Sequence, residues 1–175
     1  MHNWVNIVSY RLNVSNSSLK ITLDRTDRRI LDELQKDGAI SNLDLADKVG
    51  LSPSPCSRRV KALQESGIIQ KTVAVLNPKA LGLDMVAMIS ISMDRHTPER
   101  FENFETLVAG FPEVLECFLI TGSSADYLLK VIVKDMEGYQ QFLLGKLTRI
   151  EGVSGVHSSF VMRKVVDSNR FPVNL

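Results

Sequence analysis

The stretch from Asn42 to Lys61 constrains this chain more than any other, because it carries the signals of two short helices joined by a tight turn. Ser41 is a good N-cap for the first helix, and Gly50 follows its last apolar residue, where glycine ends helices at low cost. Ser52 is a good N-cap for the second helix, with Pro53 at its first position. This spacing indicates a helix-turn-helix, whose second helix lies in the major groove of DNA.

The second helix of this pair has two faces of opposite character. At about 100° per residue, its apolar face carries Cys56, Val60 and Leu63. Hydroxyl and basic groups, which bond phosphates and base edges, lie elsewhere on the helix. The alternative is an ordinary solvated helix face, but capping, turn and basic face in one unit favour DNA binding. The predicted DNA-contact residues are Ser52, Ser54, Ser57, Arg58, Arg59 and Lys61.

The distribution of charge along the chain supports the same assignment. The formal net charge is only +1 over 175 residues. Residues 1–83 carry 12 Lys and Arg against 8 Asp and Glu, a net of +4, whereas residues 84–175 carry 9 against 12, a net of −3. A basic N-terminal half beside an acidic C-terminal half places the nucleic-acid contact in the first half.

Composition and motif spacing exclude several classes of protein. A hydrophobic content of 44% and a charged content of 23% are ordinary for a soluble globular protein. No apolar run approaches the ~20 residues of a membrane span and no signal peptide is present, so we expect a cytoplasmic protein without membrane partners. Cys56 and Cys117 are predicted to be buried free thiols. The three histidines are scattered without an HExxH or CxxC pattern, so we expect neither a metal site nor a cofactor.

One further helix precedes the helix-turn-helix. Asp24 can cap it, with Asp27 as the third helical residue of a capping box. Its apolar side is formed by Ile30, Leu31 and Leu34. This support helix completes a three-helix, winged-helix-like DNA-binding domain, which we predict over residues 23–76.

Less regular segments lie at both ends of this domain. Residues 1–22 form an N-terminal arm, for which a flexible arm is favoured over a segment that packs on a partner chain. Ile68 to Leu76 has the β-branched composition of a strand and is predicted to be a linker strand. Asn77-Pro78 breaks that pattern, so residues 77–84 are predicted to be the linker into a second domain.

The second domain, predicted over residues 85–170 with a tail at 171–175, follows the order β-α-β-β-α-β. This is the ferredoxin-like order, an antiparallel sheet with both helices on one face, which makes the whole chain α+β. A domain of roughly 90 residues has a thin core, and the other sheet face needs a cover, so we predict a dimer through this domain. The strands are predicted at residues 85–93, 114–120, 127–133 and 156–166.

Together these motifs resemble the Lrp/AsnC (leucine-responsive, asparagine-regulator or feast/famine) family of prokaryotic transcription factors. LDRTDRRILDELQKDGAIS, from Leu23 to Ser41, is similar to the opening helix of the family. LADKVGLSPSPCSRRVKALQESGII, from Leu45 to Ile69, resembles its helix-turn-helix. ECFLITG, from Glu116 to Gly122, and DYLLKV, from Asp126 to Val131, resemble the second and third strands of its effector domain.

The resemblance implies a sequence-specific regulator of transcription that binds double-stranded DNA as a homodimer, with dimers assembling into an octamer or a similar ring. It also implies a small amino acid, such as leucine or methionine, bound between dimers. By position, the effector pocket of the family matches Thr121, Gly122, Asp126 and Tyr127. A glycine loop exposes backbone N–H groups to a carboxylate, and an aspartate can pair with an ammonium group. Three residues separate Gly122 from Asp126, one more than is usual in the family.

Two other functions stay open from the residues alone. A ferredoxin-like metabolic enzyme or ligand sensor needs a titratable pair in a cleft, for which Asp126 with His157 is the one candidate. Nothing in the spacing brings that pair together, so we predict no catalytic residues. Architectural compaction of DNA without specific sites is the third reading.

Overall fold

Three helices form the first unit of the computed structural model, which describes residues 22–173. They are α1 (Arg25–Lys36), α2 (Asn42–Val49) and α3 (Pro53–Glu65). Their shared core consists of Ile30, Leu31, Leu45, Ala46, Val49, Cys56 and Leu63. The predicted three-helix domain is therefore confirmed. The predicted N-terminal arm, apart from residue 22, and the last two residues of the chain lie outside the described residues.

Local hydrogen bonds fix where these helices begin and end. Asp24 and Asp27 form the predicted capping box, since the Asp27 N–H donates to Asp24 Oδ1 at 2.8 Å and the Asp24 N–H donates to Asp27 Oδ2 at 3.2 Å. Ser41 caps α2 by accepting from the Asp44 N–H at 3.1 Å. Gly50 ends α2 with a φ of 73°, a left-handed conformation that glycine adopts without steric cost. The turn between α2 and α3 is thus set by local sequence.

The prediction of a linker strand at residues 68–76 is wrong, because these residues join no sheet within the described part of the chain. A strand needs a neighbour to receive its backbone hydrogen bonds, and composition alone does not provide one. Val73, Val75 and Leu76 are 60%, 84% and 66% exposed. Their β-branched and apolar character therefore marks surface that the described residues of the chain leave uncovered.

Residues 76–165 form the second unit, a four-stranded antiparallel sheet with two helices. The spatial order of the strands is β2-β3-β1-β4, which confirms the ferredoxin-like βαββαβ topology. Short 3₁₀ turns lie at Lys79–Leu81 and Leu147–Arg149. The main elements are β1 (Met85–Met93), α4 (Pro98–Ala109), β2 (Val114–Leu119), β3 (Tyr127–Val133), α5 (Met136–Gly145) and β4 (Val153–Phe160).

Both helices cover the same face of this sheet. Phe104 of α4 packs on Tyr127 of β3 with ring centroids 4.5 Å apart, and Tyr139 of α5 packs on Phe160 of β4 at 5.0 Å. Alternate residues of β1 point into this layer, and Ile89 is fully buried there. Within residues 76–165, neither helix covers the opposite face of the sheet. No helix within residues 22–173 is both long enough and apolar enough to cross a membrane.

Three details of the second unit differ from the sequence prediction. β4 ends at Phe160 instead of residue 166, because it runs antiparallel to β1 and Phe160 pairs with Ala87, near the beginning of β1. Leu107, which the helical spacing of the apolar residues at positions 101, 104, 107 and 108 predicts to be a core residue, is 42% exposed because it lies at the margin of the buried stripe of α4. Cys117, predicted to be buried, is exposed on the edge strand β2.

The last described residues of the chain lie with the first unit. The structure groups residues 166–173 with the three helices. Val173 packs against the helical core. The first unit is therefore built from two separate pieces of the chain.

Candidate functional site

The outer face of α3 carries the predicted polar residues. Cys56 and Leu63 point into the helical core, which confirms the predicted apolar face. Lys61 has a side chain that is 75% exposed, and its nearest carboxylate is Glu65 at 3.6 Å, one turn along the same helix. The residues exposed on the outer side are Ser54, Ser57, Arg58 and Lys61. This arrangement presents two cations and two hydroxyls together on one side of a helix.

The beginning of α3 has an unusual cap. Ser52 is the N-cap, as predicted, but its side chain makes no capping hydrogen bond. The physical reason is that Pro53 and Pro55 occupy the first and third helical positions, and proline has no N–H to donate. The exposed Ser52 hydroxyl is therefore not used by the helix and is open to a phosphate oxygen.

Arg59 differs from the other five predicted DNA-contact residues. Its Nη1 lies 2.7 Å from Asp24 Oδ2 and 2.8 Å from Asp27 Oδ1, the two carboxylates of the α1 capping box. The pKa of Asp24 is lowered, first by the backbone N–H of Asp27 and next by the Arg59 side chain. The Arg59 guanidinium therefore links the second helix, α3, to the start of α1 and is not part of the outer basic face.

Two further contacts position α2, and sequence reasoning missed both. The Asn42 side-chain amide donates to the Pro53 carbonyl at 2.9 Å, which links the start of α2 to the start of α3. Arg29 Nη2 donates to the Lys48 carbonyl at 2.7 Å, which satisfies an acceptor at the end of α2. Neither contact has a local sequence signature, because each joins residues from different helices.

Of the four predicted effector residues, two are exposed in a loop and two are buried at the base of that loop, where β3 begins. Thr121 and Gly122 are exposed in the loop between β2 and β3, where Gly122 has a φ of 83°. Asp126 and Tyr127 are buried at 7% and 1% exposure. The loop is closed by the Ile120 N–H, which donates to the Asp126 carbonyl at 2.8 Å. The structure thus brings all four residues to one end of the sheet.

Both carboxylate oxygens of Asp126 have protein partners. Oδ2 accepts from the Met93 N–H at 2.7 Å, and Oδ1 lies 2.8 Å from His96 Nε2. The sequence offered His157 as a candidate partner of Asp126, with nothing in the spacing to bring the two together, and in the structure His96 is the histidine beside that carboxylate. His157 is on β4, where the register of the β1–β4 pair places it opposite Ser90 of β1. His96, in the segment between β1 and α4, is the functional neighbour that sequence reasoning missed.

Tyr127 closes the base of the loop from the other side. Its hydroxyl donates to Glu105 Oε1 at 3.0 Å, and burial together with the nearby Glu105 raises the pKa of Tyr127 above its usual value. A cavity of about 520 Å³ lies beside it, lined by residues of α4 and β2. Cys117 lines this cavity, and although its surface is exposed, partial desolvation by the cavity wall together with the charge of Glu105 raises the pKa of its thiol to about 11.

Two known families match the two units. The family described as winged helix-turn-helix DNA-binding matches residues 23–70. The family described as Lrp/AsnC ligand binding domain matches residues 86–171. The matched ranges cover the three-helix layer and the ferredoxin-like sheet respectively.

Whole-chain relatives share both units. The leucine-responsive regulatory protein of Escherichia coli strain K12 is 45% identical over 151 residues, which are 86% of this chain and 92% of that protein. The chain belongs to the Lrp/AsnC family of transcription regulators. A Neisseria meningitidis transcriptional regulator, solved in complex with L-methionine, is 40% identical with a TM-score of 0.84 over 87% of this chain and 98% of that one. An AsnC family regulator from Agrobacterium tumefaciens is 37% identical with a TM-score of 0.82 over the same shares.

The membership confirms the function predicted from the motifs, a DNA-binding regulator of transcription. The outer face of α3 lies within the range that matches the winged helix-turn-helix family. The loop at Thr121 to Tyr127 lies in the matched ligand-binding domain. The two candidate sites therefore lie in two different units of the chain.

The outer face and the Arg59 contact predict different effects of neighbouring substitutions. Arg58→Ala and Lys61→Ala are each expected to weaken binding to duplex DNA and to reduce the slope of log K against log salt by up to about 0.9, because each removes one cation that displaces counterions from the duplex. Arg59→Ala, the matched control, is expected to lower the free energy of unfolding by up to about 1 kcal/mol and to leave that slope unchanged. Salt titrations of DNA binding and denaturant unfolding of the three variants check this. A slope that falls for Arg59→Ala and stays constant for Arg58→Ala would reverse the assignment.

Proposed function

We propose that this Lrp/AsnC regulator binds paired half-sites of duplex DNA as a homodimer, that dimers assemble into an octamer or similar ring, and that a small amino acid adjusts this assembly. The observation that supports DNA reading is the outer face of α3, with Ser54, Ser57, Arg58 and Lys61 exposed together. Arg58 can fork onto a guanine, while Lys61 and the serines bond phosphates or base edges. The N-cap Ser52 adds a hydroxyl where the helix begins.

The uncovered sheet face supports the homodimer. Met88 of β1, Leu128 of β3 and Phe118 of β2 project from the side of the sheet opposite the helices, and Phe118 is 46% exposed. A second copy of the same face would bury these side chains in a two-fold symmetric contact. Two copies of α3 are then carried by one particle, which suits a pseudo-palindromic site.

The effector is proposed to be leucine, methionine or a similar amino acid with an apolar side chain. The relatives that are leucine-responsive or bound to L-methionine favour this class. Backbone N–H groups of the exposed loop at Thr121 and Gly122 would receive the carboxylate. Asp126, which uses two of about four acceptor positions on its carboxylate, would receive the ammonium group, and Tyr127 holds the loop base in place.

Ligand control requires different affinity for two assembly states. A ligand shared between neighbouring dimers would stabilise the assembly that completes its site, and that assembly would present α3 helices at altered spacing. The three residues between Gly122 and Asp126 lengthen the loop, and the Ser123 hydroxyl braces it by accepting from the Ala125 N–H at 3.0 Å. We propose that this longer loop determines which amino acid is preferred.

Footprinting on genomic fragments tests the DNA-binding proposal. We expect discrete protected half-sites with centres separated by about 34 Å along the duplex or by a multiple of it, because two linked recognition helices must enter the groove on matching faces. Continuous protection that is independent of sequence would contradict specific regulation and would favour compaction of DNA.

Thermal unfolding with each of the amino acids tests the effector proposal, with the mass of the assembly measured in parallel. We expect leucine or methionine to stabilise the protein by about 2.7 kcal/mol at 100 times its Kd, and to change the assembly mass. Asp126→Asn keeps an acceptor for the Met93 N–H but loses the negative charge, so it should weaken the ligand more than tenfold. An unchanged midpoint with every amino acid would refute effector binding.

A further inference from the structure

The C-terminal segment, defined as residues 166–173, belongs to the same compact unit as the three helices and lies along α1. The side-chain amide of Gln35 clamps the backbone of Phe171. Gln35 Nε2 donates to the Phe171 carbonyl at 3.1 Å, and the Phe171 N–H donates to Gln35 Oε1 at 2.5 Å. One side chain therefore satisfies both backbone groups of one residue in the segment.

Two charged contacts extend this clamp along the helix. Arg170 Nη2 lies 3.0 Å from Asp32 Oδ1, and the guanidinium of Arg28 donates to the Val173 carbonyl. The Asp32 carboxylate also pairs with Lys36, and the pKa of Asp32 is lowered first by Lys36 and then by Arg170. Beyond the ion pair, Val173 packs against the helical core, so the end of the segment is anchored by apolar contact.

The residues of α1 that hold the segment form one stripe. Arg28, Asp32 and Gln35 are spaced by four and three residues, which places them on one side of a helix. At the start of the helix, Asp24 and Asp27 hold Arg59 of the recognition helix. Helix α1 is therefore bonded to α3 at its start and to the C-terminal segment further along its length.

We propose that the C-terminal segment is a positioning element for DNA binding that acts through α1. The segment fixes the position of α1, and α1 in turn fixes the angle of α3 through the contact of Arg59 with Asp24 and Asp27. Because the segment continues directly from the unit of residues 76–165, the chain joins the two units twice, at residues 75–76 and at residues 165–166. The second junction connects the effector-binding unit covalently to the segment whose hydrogen bonds and ion pair hold α1.

The test uses the full chain with contacts of the segment removed. In the release variant, Arg170→Ala and Gln35→Met together remove the ion pair and the amide clamp while keeping side-chain length at residue 35. Arg170→Lys is the conservative variant, since it keeps a cation for Asp32. Arg163→Ala is the matched control, because it loses the same charge from an exposed residue outside the segment. Each is measured for amide hydrogen exchange in α1 and for binding to two duplexes.

The two duplexes are an operator selected from random sequence by the wild-type protein and a duplex without that sequence. Positioning predicts that the release variant exchanges the amides of α1 roughly tenfold faster and loses about tenfold affinity for the operator. Its affinity for the other duplex, and the salt slope there, should stay at the wild-type value, because phosphate contacts do not need a fixed helix angle. The Arg170→Lys variant should keep most of the wild-type affinity for the operator, and Arg163→Ala should behave as wild type.

Two results would overturn the proposal. Wild-type exchange in α1 together with wild-type operator affinity would show that the segment positions nothing. Equal loss of affinity for both duplexes would show general loss of folding instead of a change in helix angle. The proposal rests on sequence-specific DNA binding, but a failure of the wild-type protein to select any operator would refute that function separately, while exchange in α1 would still decide whether the segment holds the helix.

Discussion

The charged contact between Arg59 and the capping carboxylates of α1 is the interaction on which the DNA-binding unit depends. One oxygen of each of Asp24 and Asp27 accepts a backbone N–H at the start of α1, and the other oxygen of each carboxylate receives the guanidinium from α3. One set of charges therefore begins one helix and orients another. With Arg59 used in this way, Arg58 and Lys61 are left to the outer face, where a duplex can reach them.

Asp126 organises the effector-binding unit in a comparable manner. Its buried carboxylate accepts from the backbone of Met93 and pairs with His96, so it joins the end of β1, the segment before α4 and the start of β3. The exposed residues Thr121 and Gly122 are carried on that rigid base. A ligand that reaches Asp126 would thus act on the junction of three elements, which is a physical route from a small molecule to a change in the sheet unit.

Periodicity and capping chemistry predicted what depends on near neighbours in sequence. The two faces of α3, the Asp24–Asp27 capping box and the βαββαβ order all followed from spacing and were confirmed. The contacts of Arg59, and the pairing of Asp126 with His96, join residues 30 to 35 positions apart and have no local signature. The prediction of a strand at residues 68–76 failed for a related reason, since composition cannot supply a neighbouring strand.

The central claim is that the outer face of α3 meets the bases of DNA, and photocrosslinking tests it most directly. A benzophenone amino acid at Ser57, which is exposed on that face, should crosslink to bases within a protected half-site. The same group at Met136, which is 52% exposed in the sheet unit, should give no crosslink to bases. Crosslinking from residue 136 with none from residue 57 would contradict the assignment of α3 as the reading helix.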